Sequence, residues 1–128
     1  MDSALKPFEQ RMIDVAAEFA AGVVAPNAAA WEQQRCLPPE RIRPAAQAGL
    51  TGLLLAEAQG GRGLSKTAMA RVMEELSMAD MAYAFVLVVH NNFMNAIAQA
   101  GSPAQRQRYL PDMLSGDCLG AFLLTEPQ

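Results

Sequence analysis

Apolar residues near the start of the chain recur with the period of an α-helix. The spacings are four, three and four residues, and the positions are Phe8, Met12, Val15 and Phe19. This pattern places them on one helical face. Pro7 suits the first position of the helix, because its missing N–H is not needed there. We expect Pro26 to limit the far end, since the residue before a proline is pushed out of helical geometry.

Prolines also shape the segment between Trp31 and Gly49. Trp31 lies in an Ala-rich stretch that is typical of a helix, and Pro39 can open a further helix that stops at Gly49. A proline at position 44 inside that helix removes one hydrogen bond and crowds the previous turn. We therefore expect either a kink or a helix start at Arg43.

Two later helices are marked by polar residues at their starts. Ser65 can cap a helix whose apolar positions follow with helical spacing, namely Met69, Val72, Met73 and Leu76. Asp80 can cap the next helix, over residues 81–100, whose first half is apolar almost all round. This helix is expected at the centre of a bundle. Polar residues interrupt it before the ~20 apolar residues of a membrane span, so we expect no membrane span.

The last predicted helix has the strongest local start signal. Ser102, Pro103 and Gln105 form a capping box with proline at the first helical position. The helix is expected to run to about Leu110, because Pro111 opposes its continuation.

The residues that follow have the pattern of a strand. Residues 114–117 (LSGD) favour a turn, and residues 118–124 (CLGAFLL) form a short apolar run bounded by turn residues. A lone strand leaves its backbone groups unpaired, so we expect this one to belong to a sheet outside the sequence. The predicted fold class is all-α: a helical bundle over residues 1–116, followed at 117–128 by the first strand and turn of a β domain.

Composition narrows the function classes. The 128 residues fit one domain, and a hydrophobic content of 52% excludes a disordered chain. The net charge of -3 gives no reason to expect a nucleic-acid partner. The N-terminus lacks the pattern of a secretory signal, so we expect a cytoplasmic protein. Cys36 and Cys118 are far apart and accompanied by one histidine, which indicates neither a metal site nor a disulfide framework.

One stretch comes close to a nucleotide-binding loop. Residues 60–67 read GGRGLSKT, and Gly60, Lys66 and Thr67 fit the phosphate-binding pattern G-x-x-x-x-G-K-[ST]. Ser65, however, stands where the second glycine lets the backbone wrap the phosphates. We therefore interpret the stretch as a surface loop followed by a helix cap.

Other polar side chains are more simply explained by structure than by catalysis. His90 lies in an apolar helix, where a lone histidine is more often a hydrogen-bonded core residue than a catalyst. Glu74 and Glu75 favour a solvated face or a helix-pairing contact over an acid pair. The methionines between positions 69 and 81 favour core filling over a ligand set.

Four stretches, in order, carry a family resemblance. They read AGLTGLLLAEAQGGRGLS, VMEELSMAD, VVHNNFMNAIAQAGSPAQRQRYLPDMLSGD and GAFLLTEPQ. In this order and spacing the sequence resembles the N-terminal helical domain of the acyl-CoA dehydrogenase family, up to the start of the middle β domain. The AEAQGG stretch and Pro44 depart from the usual form of the family.

The resemblance implies a flavoenzyme that oxidises the α,β bond of an acyl-CoA thioester with FAD. It also implies a flavin electron acceptor as partner and a homotetramer. The family residues before and within the T-E-P motif touch the flavin ring, which makes Phe122, Leu124 and Thr125 the cofactor-binding candidates. Hydrogen-bond donors at the flavin edge can stabilise the reduced ring. Taken alone, Phe122 and Leu124 are strand core residues and Thr125 a turn residue.

The resemblance also implies an acyl-CoA substrate site. Val88 and Asn92 match positions that line the floor of the acyl pocket, and they lie on one helical face. Asn92 makes that wall unusually polar. We predict no catalytic residue, because the base of the family lies in a C-terminal bundle, and we expect this chain alone to be inactive as a fragment of a longer polypeptide.

Two alternatives remain open. The first is a non-catalytic helical interaction module whose C-terminal strand adds to the sheet of a partner. The second is a flavin monooxygenase or an acyl-CoA oxidase of the same superfamily.

Overall fold

The computed structural model describes residues 4–125, and helices form most of them. The elements are α1 (Pro7–Phe19), a π-helical turn (Ala20–Val24), α2 (Ala25–Gln34), a 3-10 turn (Pro39–Arg41), α3 (Ile42–Gln47), a second 3-10 turn (Glu57–Gln59), α4 (Lys66–Ala79), α5 (Met81–Ala100) and α6 (Pro103–Ser115). The predicted all-α class is confirmed.

Helices α1 and α2 form one continuous run across the π turn. The Ala25 N–H bonds to the carbonyl of Ala20, five residues back instead of four. Pro26 then falls in the first turn of α2, where a missing N–H costs little. The Asn27 side chain donates to the Val23 carbonyl at 2.8 Å. The prediction that Pro26 limits the helix is therefore wrong, because the π turn shifts the hydrogen-bond pattern before the proline.

The buried face of α1 lies beside the predicted apolar stripe. Its buried residues are Glu9, Ile13, Ala16 and Phe19. Of the predicted stripe only Phe19 is fully buried, whereas Phe8, Met12 and Val15 pack against the edge of the core. The stripe thus forms one flank of the buried face, because a helix packed against several neighbours covers more than one row of side chains.

The other two prolines interrupt their helices less than expected. α3 begins at Ile42, one residue before the predicted start, and Pro44 is its third residue, where no intrahelical donor is needed. Pro111 lies inside α6, which continues to Ser115 and ends at Gly116 with φ of 79°. The predicted end near Leu110 is wrong. Pro111 and Gln107, whose carbonyl loses its intrahelical donor, are both exposed, so water can replace the missing hydrogen bond.

Two clusters of buried side chains hold the helices together. The larger lies between α1, α2, α4 and the first half of α5, and includes the stacked rings of Trp31 and Tyr83, 5.5 Å apart. The Tyr83 hydroxyl donates to the Arg41 carbonyl at 2.8 Å. The smaller cluster joins the second half of α5 to α6 and contains Leu55, Met94, Ala98, Leu110 and Met113. Helix α5 contributes to both clusters, as the predicted central helix should.

Two helical runs are long and apolar enough to cross a membrane by length and composition alone, Pro7–Gln34 and Met81–Ala100. This is weak support for a span, since the core helix of a soluble protein has the same properties. The second run is α5, whose polar residues His90 and Asn91 are fully buried among the other helices. The absence of a membrane span stays a prediction.

The C-terminal segment, residues 117–125, leaves α6 without regular secondary structure. The predicted strand at 118–124 is not formed, because the described part of the chain offers no second strand to pair with it. Its assignment to a β domain, and the domain boundary at 116, stay predictions. Residues 126–128 lie outside the described residues.

Candidate functional site

A groove of about 1070 Å³ runs along α4 and α5. Ser65 and Asp80 fix the starts of these helices, because each side chain accepts a hydrogen bond from the main chain three residues on, at 3.2 and 3.0 Å. The apolar lining consists mainly of Leu54, Met69, Met73, Met78, Met81 and Val88. Met78 and Met81 are 76% and 68% exposed, so apolar surface continues from the groove to the solvent.

Val88 and Asn92 both line this groove, one turn apart on α5. Val88 is half-buried and Asn92 is exposed. Asn95, the next groove residue along α5, accepts a hydrogen bond from Gln99 at 3.1 Å. The structure therefore brings the two predicted substrate-binding residues together, and their contact with a substrate stays a prediction.

The charged residues near the groove do not form an acid pair. Glu74 pairs with Arg71 at 3.1 Å, and both side chains are exposed. For Glu74 this agrees with the predicted solvated face, whereas Glu75 is half-buried. Among residues 4–125 there is no group of three or more side chains suited to a metal ion. Cys36 and Cys118 are free and exposed.

The N–H groups of the glycine-rich part of the loop, residues 60–64, are not free to cradle a phosphate. The N–H groups of Gly60, Gly61, Arg62, Gly63 and Leu64 all donate to main-chain carbonyls of residues 52–57. Phosphate-binding loops need such N–H groups to point at the ligand. The interpretation as a surface loop with a Ser65 cap is confirmed.

The C-terminal segment returns to α5 at two points. The Gly120 N–H donates to Nδ1 of His90 at 3.0 Å. Two residues later, the Phe122 ring meets the edge of Phe93 with centroids 5.4 Å apart and planes at 79°. At its start the segment is held by Asp117, whose carboxylate accepts from Arg43 Nε at 2.7 Å.

His90 is a fully buried, hydrogen-bonded core residue, as predicted. Its Nε2 lies 2.9 Å from the Met113 carbonyl oxygen. A carbonyl only accepts and an amide N–H only donates, so Nε2 carries the proton and Nδ1 holds the lone pair that faces Gly120. Burial lowers the pKa of His90, and the bond to Met113 opposes that shift only in part.

The three predicted flavin-contacting residues lie in the last described part of this segment, after its contacts with α5 begin. Phe122 is 38% exposed and Leu124 is 82% exposed. Thr125 is exposed as well. The main-chain groups of residues 122–125 have no hydrogen-bond partner within the described residues. An aromatic ring, a hydroxyl and unpaired backbone groups are chemically suited to one edge of a flavin.

The two predicted sets of site residues lie on different sides of α5. At 3.6 residues per turn, Val88 and Asn92 project within roughly 40° of each other, whereas His90 projects roughly 160° from Asn92. The described residues therefore provide two separate candidate surfaces. One is the groove along α4 and α5, and the other is the C-terminal segment that contacts a different side of α5.

Two buried polar residues that hold the groove helices in place were not predicted from the sequence. Asn91 accepts from the Leu53 N–H at 2.9 Å and donates to the Leu50 carbonyl at 3.0 Å, which fixes the loop before α4 against α5. Glu9 accepts from the N–H groups of Lys6 and Ser65. The sequence offered the same signal for both residues. Each is a polar residue at a position that the helical period places on the buried face of its helix.

Comparison with known proteins identifies the family and the fold of this chain. Residues 7–117 match the family model described as acyl-CoA dehydrogenase, N-terminal domain. A relative from Bacillus subtilis named acyl-CoA dehydrogenase is 34% identical over 111 residues, which cover 86% of this chain and 29% of that protein.

Solved structures give the same result. Butyryl-CoA dehydrogenase from Megasphaera elsdenii superposes with a TM-score of 0.85 at 30% identity, over 99% of this chain and 34% of that one. A glutaryl-CoA dehydrogenase from Mycobacterium smegmatis in complex with FADH2 gives 0.87 at 27% identity, over 96% and 32%. This chain spans about a third of the length of these proteins. The chain therefore belongs to the acyl-CoA dehydrogenase family, and residues 7–117 form its N-terminal domain.

Proposed function

We propose that this chain is the N-terminal helical part of an FAD-dependent enzyme that oxidises the α,β bond of an acyl-CoA thioester. The observation that carries the proposal is the groove between α4 and α5. Its volume of about 1070 Å³ is close to the range of small-molecule sites, and its lining is mostly apolar. Methionine side chains adapt their shape to an alkyl chain at little cost. Val88 and Asn92 are the residues proposed to wall the acyl group.

FAD is the proposed cofactor, and its contacts with this chain are limited to the end of the C-terminal segment. When bound, the flavin supplies the acceptor for the hydride removed from the substrate. Phe122 offers an aromatic surface to the flavin, and Thr125 offers a hydroxyl to the polar ring edge. Leu124 and Thr125 add backbone groups that have no partner among residues 4–125. Fixed donors at a site of developing charge stabilise that charge without reorganisation.

The proposed role of this chain is binding and positioning, with no catalytic residue assigned. The groove excludes water from the acyl chain, and the segment presents its donors to the flavin. A flavin electron acceptor as partner, assembly into a homotetramer and a cytoplasmic location belong to the same proposal.

A domain exchange tests the proposal. The chain replaces the corresponding N-terminal residues of the Bacillus subtilis relative, and the purified hybrid is examined for bound FAD. We expect visible flavin absorbance, which bleaches when an acyl-CoA is added without oxygen. A panel of acyl chains from short to long finds the length that bleaches fastest.

Two matched variants test the groove itself. Val88→Trp fills the groove and should slow bleaching by roughly tenfold or more for the preferred acyl chain, because a blocked pocket discriminates by that order. Gln107→Trp adds the same ring on an exposed position of α6 and should change nothing. Equal behaviour of the two variants contradicts the acyl-wall role. A folded hybrid without FAD contradicts the flavin role.

A further inference from the structure

We propose that His90 is a positioning residue that latches the C-terminal segment onto α5 in its neutral form and releases it when the imidazole is protonated. The latch is the pair of hydrogen bonds from Nε2 to the Met113 carbonyl and from the Gly120 N–H to Nδ1. It joins three parts of the chain that are distant in sequence: α5, the last turn of α6 and the segment. It concerns docking of the segment and does not depend on the flavin contact proposed above.

The geometry permits one protonation state only. Both imidazole nitrogens are used, one as a donor and one as an acceptor, and both partners are main-chain groups whose roles cannot reverse. A proton on Nδ1 points a second donor at the Gly120 N–H. The bond is then lost and replaced by repulsion between two N–H groups.

Packing around Gly120 makes this bond decisive for the segment. A Cβ at position 120 would collide with the ring of Phe93 and with the terminal methyl group of Met113. The backbone at Gly120 therefore fits closely between α5 and α6. Beyond Gly120 the segment meets α5 through the edge-to-face pair of Phe93 and Phe122. Leu123 is 95% exposed and adds no packing. Loss of the Gly120 bond therefore removes the hydrogen bond to α5 that lies next to residues 121–125 and leaves the Phe93–Phe122 pair to hold them.

Among residues 4–125, no charged side chain bonds to the imidazole. The titratable side chains on the elements packed against His90 are Arg106, Arg108, Tyr109 and Asp112 on α6, and Asp117 and Cys118 in the turn after it. Asp117 is paired with Arg43 of α3 at 2.7 Å, and both are exposed. The neighbours of His90 one turn away on α5 are Val86, Leu87, Phe93 and Met94. The imidazolium thus gains no nearby carboxylate to compensate for its burial.

The burial of His90 determines whether docking of the segment strengthens or weakens as the pH falls. Burial lowers the pKa of His90 in the docked state below the ordinary value of a histidine, so the released state, in which the imidazole is less buried, binds the proton more tightly. Docking is then complete above the pKa of the released state and weakens as the pH falls from there toward the lower pKa of the docked state. The docking equilibrium should fall by up to about tenfold per pH unit in that interval.

Two variants separate the two hydrogen bonds. His90→Asn places a carboxamide oxygen near the position of Nδ1 and keeps the acceptor for Gly120 without a titratable group. His90→Gln reaches the position of Nε2 and keeps the donor to Met113, but it offers no acceptor to Gly120. We expect the segment of His90→Asn to stay docked at every pH, and that of His90→Gln to be released at every pH.

Residue-resolved amide exchange of the whole 128-residue chain by NMR is the test. Protection factors of Gly120 are compared with those of Met94 in the α5 core, because protection factors remove the intrinsic pH dependence of exchange. In the unmodified chain, Gly120 protection should fall as the pH drops from 7.5 toward 4.5 while Met94 protection stays constant. Constant Gly120 protection, a parallel fall at Met94, or a His90→Asn chain that titrates like the unmodified one overturns the latch.

Discussion

The Glu9 carboxylate and the Ser65 main-chain N–H, 56 residues apart in sequence, are joined by a hydrogen bond of 2.8 Å. The other oxygen of the same carboxylate accepts from the Lys6 N–H at 2.9 Å. Lys6 and Ser65 are the N-cap residues of α1 and α4. One buried side chain therefore satisfies backbone donors at the starts of two helices and fixes them against each other.

Removing this charge should destabilise the whole domain. We expect Glu9→Gln to lower the free energy of unfolding by about 1–3 kcal/mol, because hydrogen bonds to a charged group are stronger than those to an amide. Chemical denaturation followed by circular dichroism measures the change. Glu18→Gln, at an exposed position of the same helix, is the control and should stay within about 0.5 kcal/mol of the unmodified chain.

The Glu9 carboxylate should account for part of the loss of stability of the fold in acid. Main-chain donors from Lys6 and Ser65 hold the pKa of Glu9 below the ordinary glutamate value of 4.5. The unfolded state then binds the proton more tightly, so this stabilisation is present above pH 4.5 and is lost as the pH falls through the folded pKa. The stability difference between the unmodified chain and Glu9→Gln should shrink between pH 5 and pH 3. A difference that stays constant over this range contradicts the assignment.

Neighbouring asparagines on α5 should respond very differently to the same substitution. Asn91 is fully buried and bonds to Leu50 and Leu53, whereas Asn92 is exposed in the groove. Asn91→Ala leaves a buried N–H and a buried carbonyl without partners and should cost about 3 kcal/mol. Asn92→Ala should change stability by less than about 0.5 kcal/mol. Thermal unfolding of the two variants side by side measures the contrast.

Gly61 and Gly63, in the loop before α4, are needed for different reasons. Substitution by alanine should distinguish a steric reason from a conformational one. A Cβ at Gly61 collides with the backbone of Leu55, whereas a Cβ at Gly63 meets no atom and suffers only from a φ of 61°. Gly61→Ala should therefore cost about 2 kcal/mol or more, and Gly63→Ala about 1 kcal/mol. Denaturation midpoints report the order, and a reversed order is evidence against the packing of this loop.

Local signals in the sequence predicted most of the helices correctly. Ser65, Asp80 and Ser102 cap their helices as their positions indicated, because capping depends only on residues within one turn. The errors concern Pro26 and Pro111, where helices continue through a proline. A π turn in one case and an exposed carbonyl in the other remove the penalty, and both depend on packing that local patterns do not contain.

The candidate site was predictable only in part. Helical spacing placed Val88 and Asn92 on one face, and the structure puts both in one groove. The role of His90 in holding the C-terminal segment was not visible, because its partners Met113 and Gly120 are 23 and 30 residues away. Contacts between distant segments depend on the packing of whole helices, which the spacing of residues within one helix does not determine.

Continuity of the helix through the π turn can be tested with a matched pair of substitutions. Ala21 and Gly22 are adjacent, exposed and inside the turn, and a Cβ at Gly22 meets no atom within 4 Å. In a continuous helix alanine is favoured over glycine by about 1 kcal/mol. Gly22→Ala should therefore raise the free energy of unfolding by about that amount, and Ala21→Gly should lower it equally. If the chain instead left helical geometry at residues 20–24, neither substitution would change the denaturation midpoint in a consistent direction.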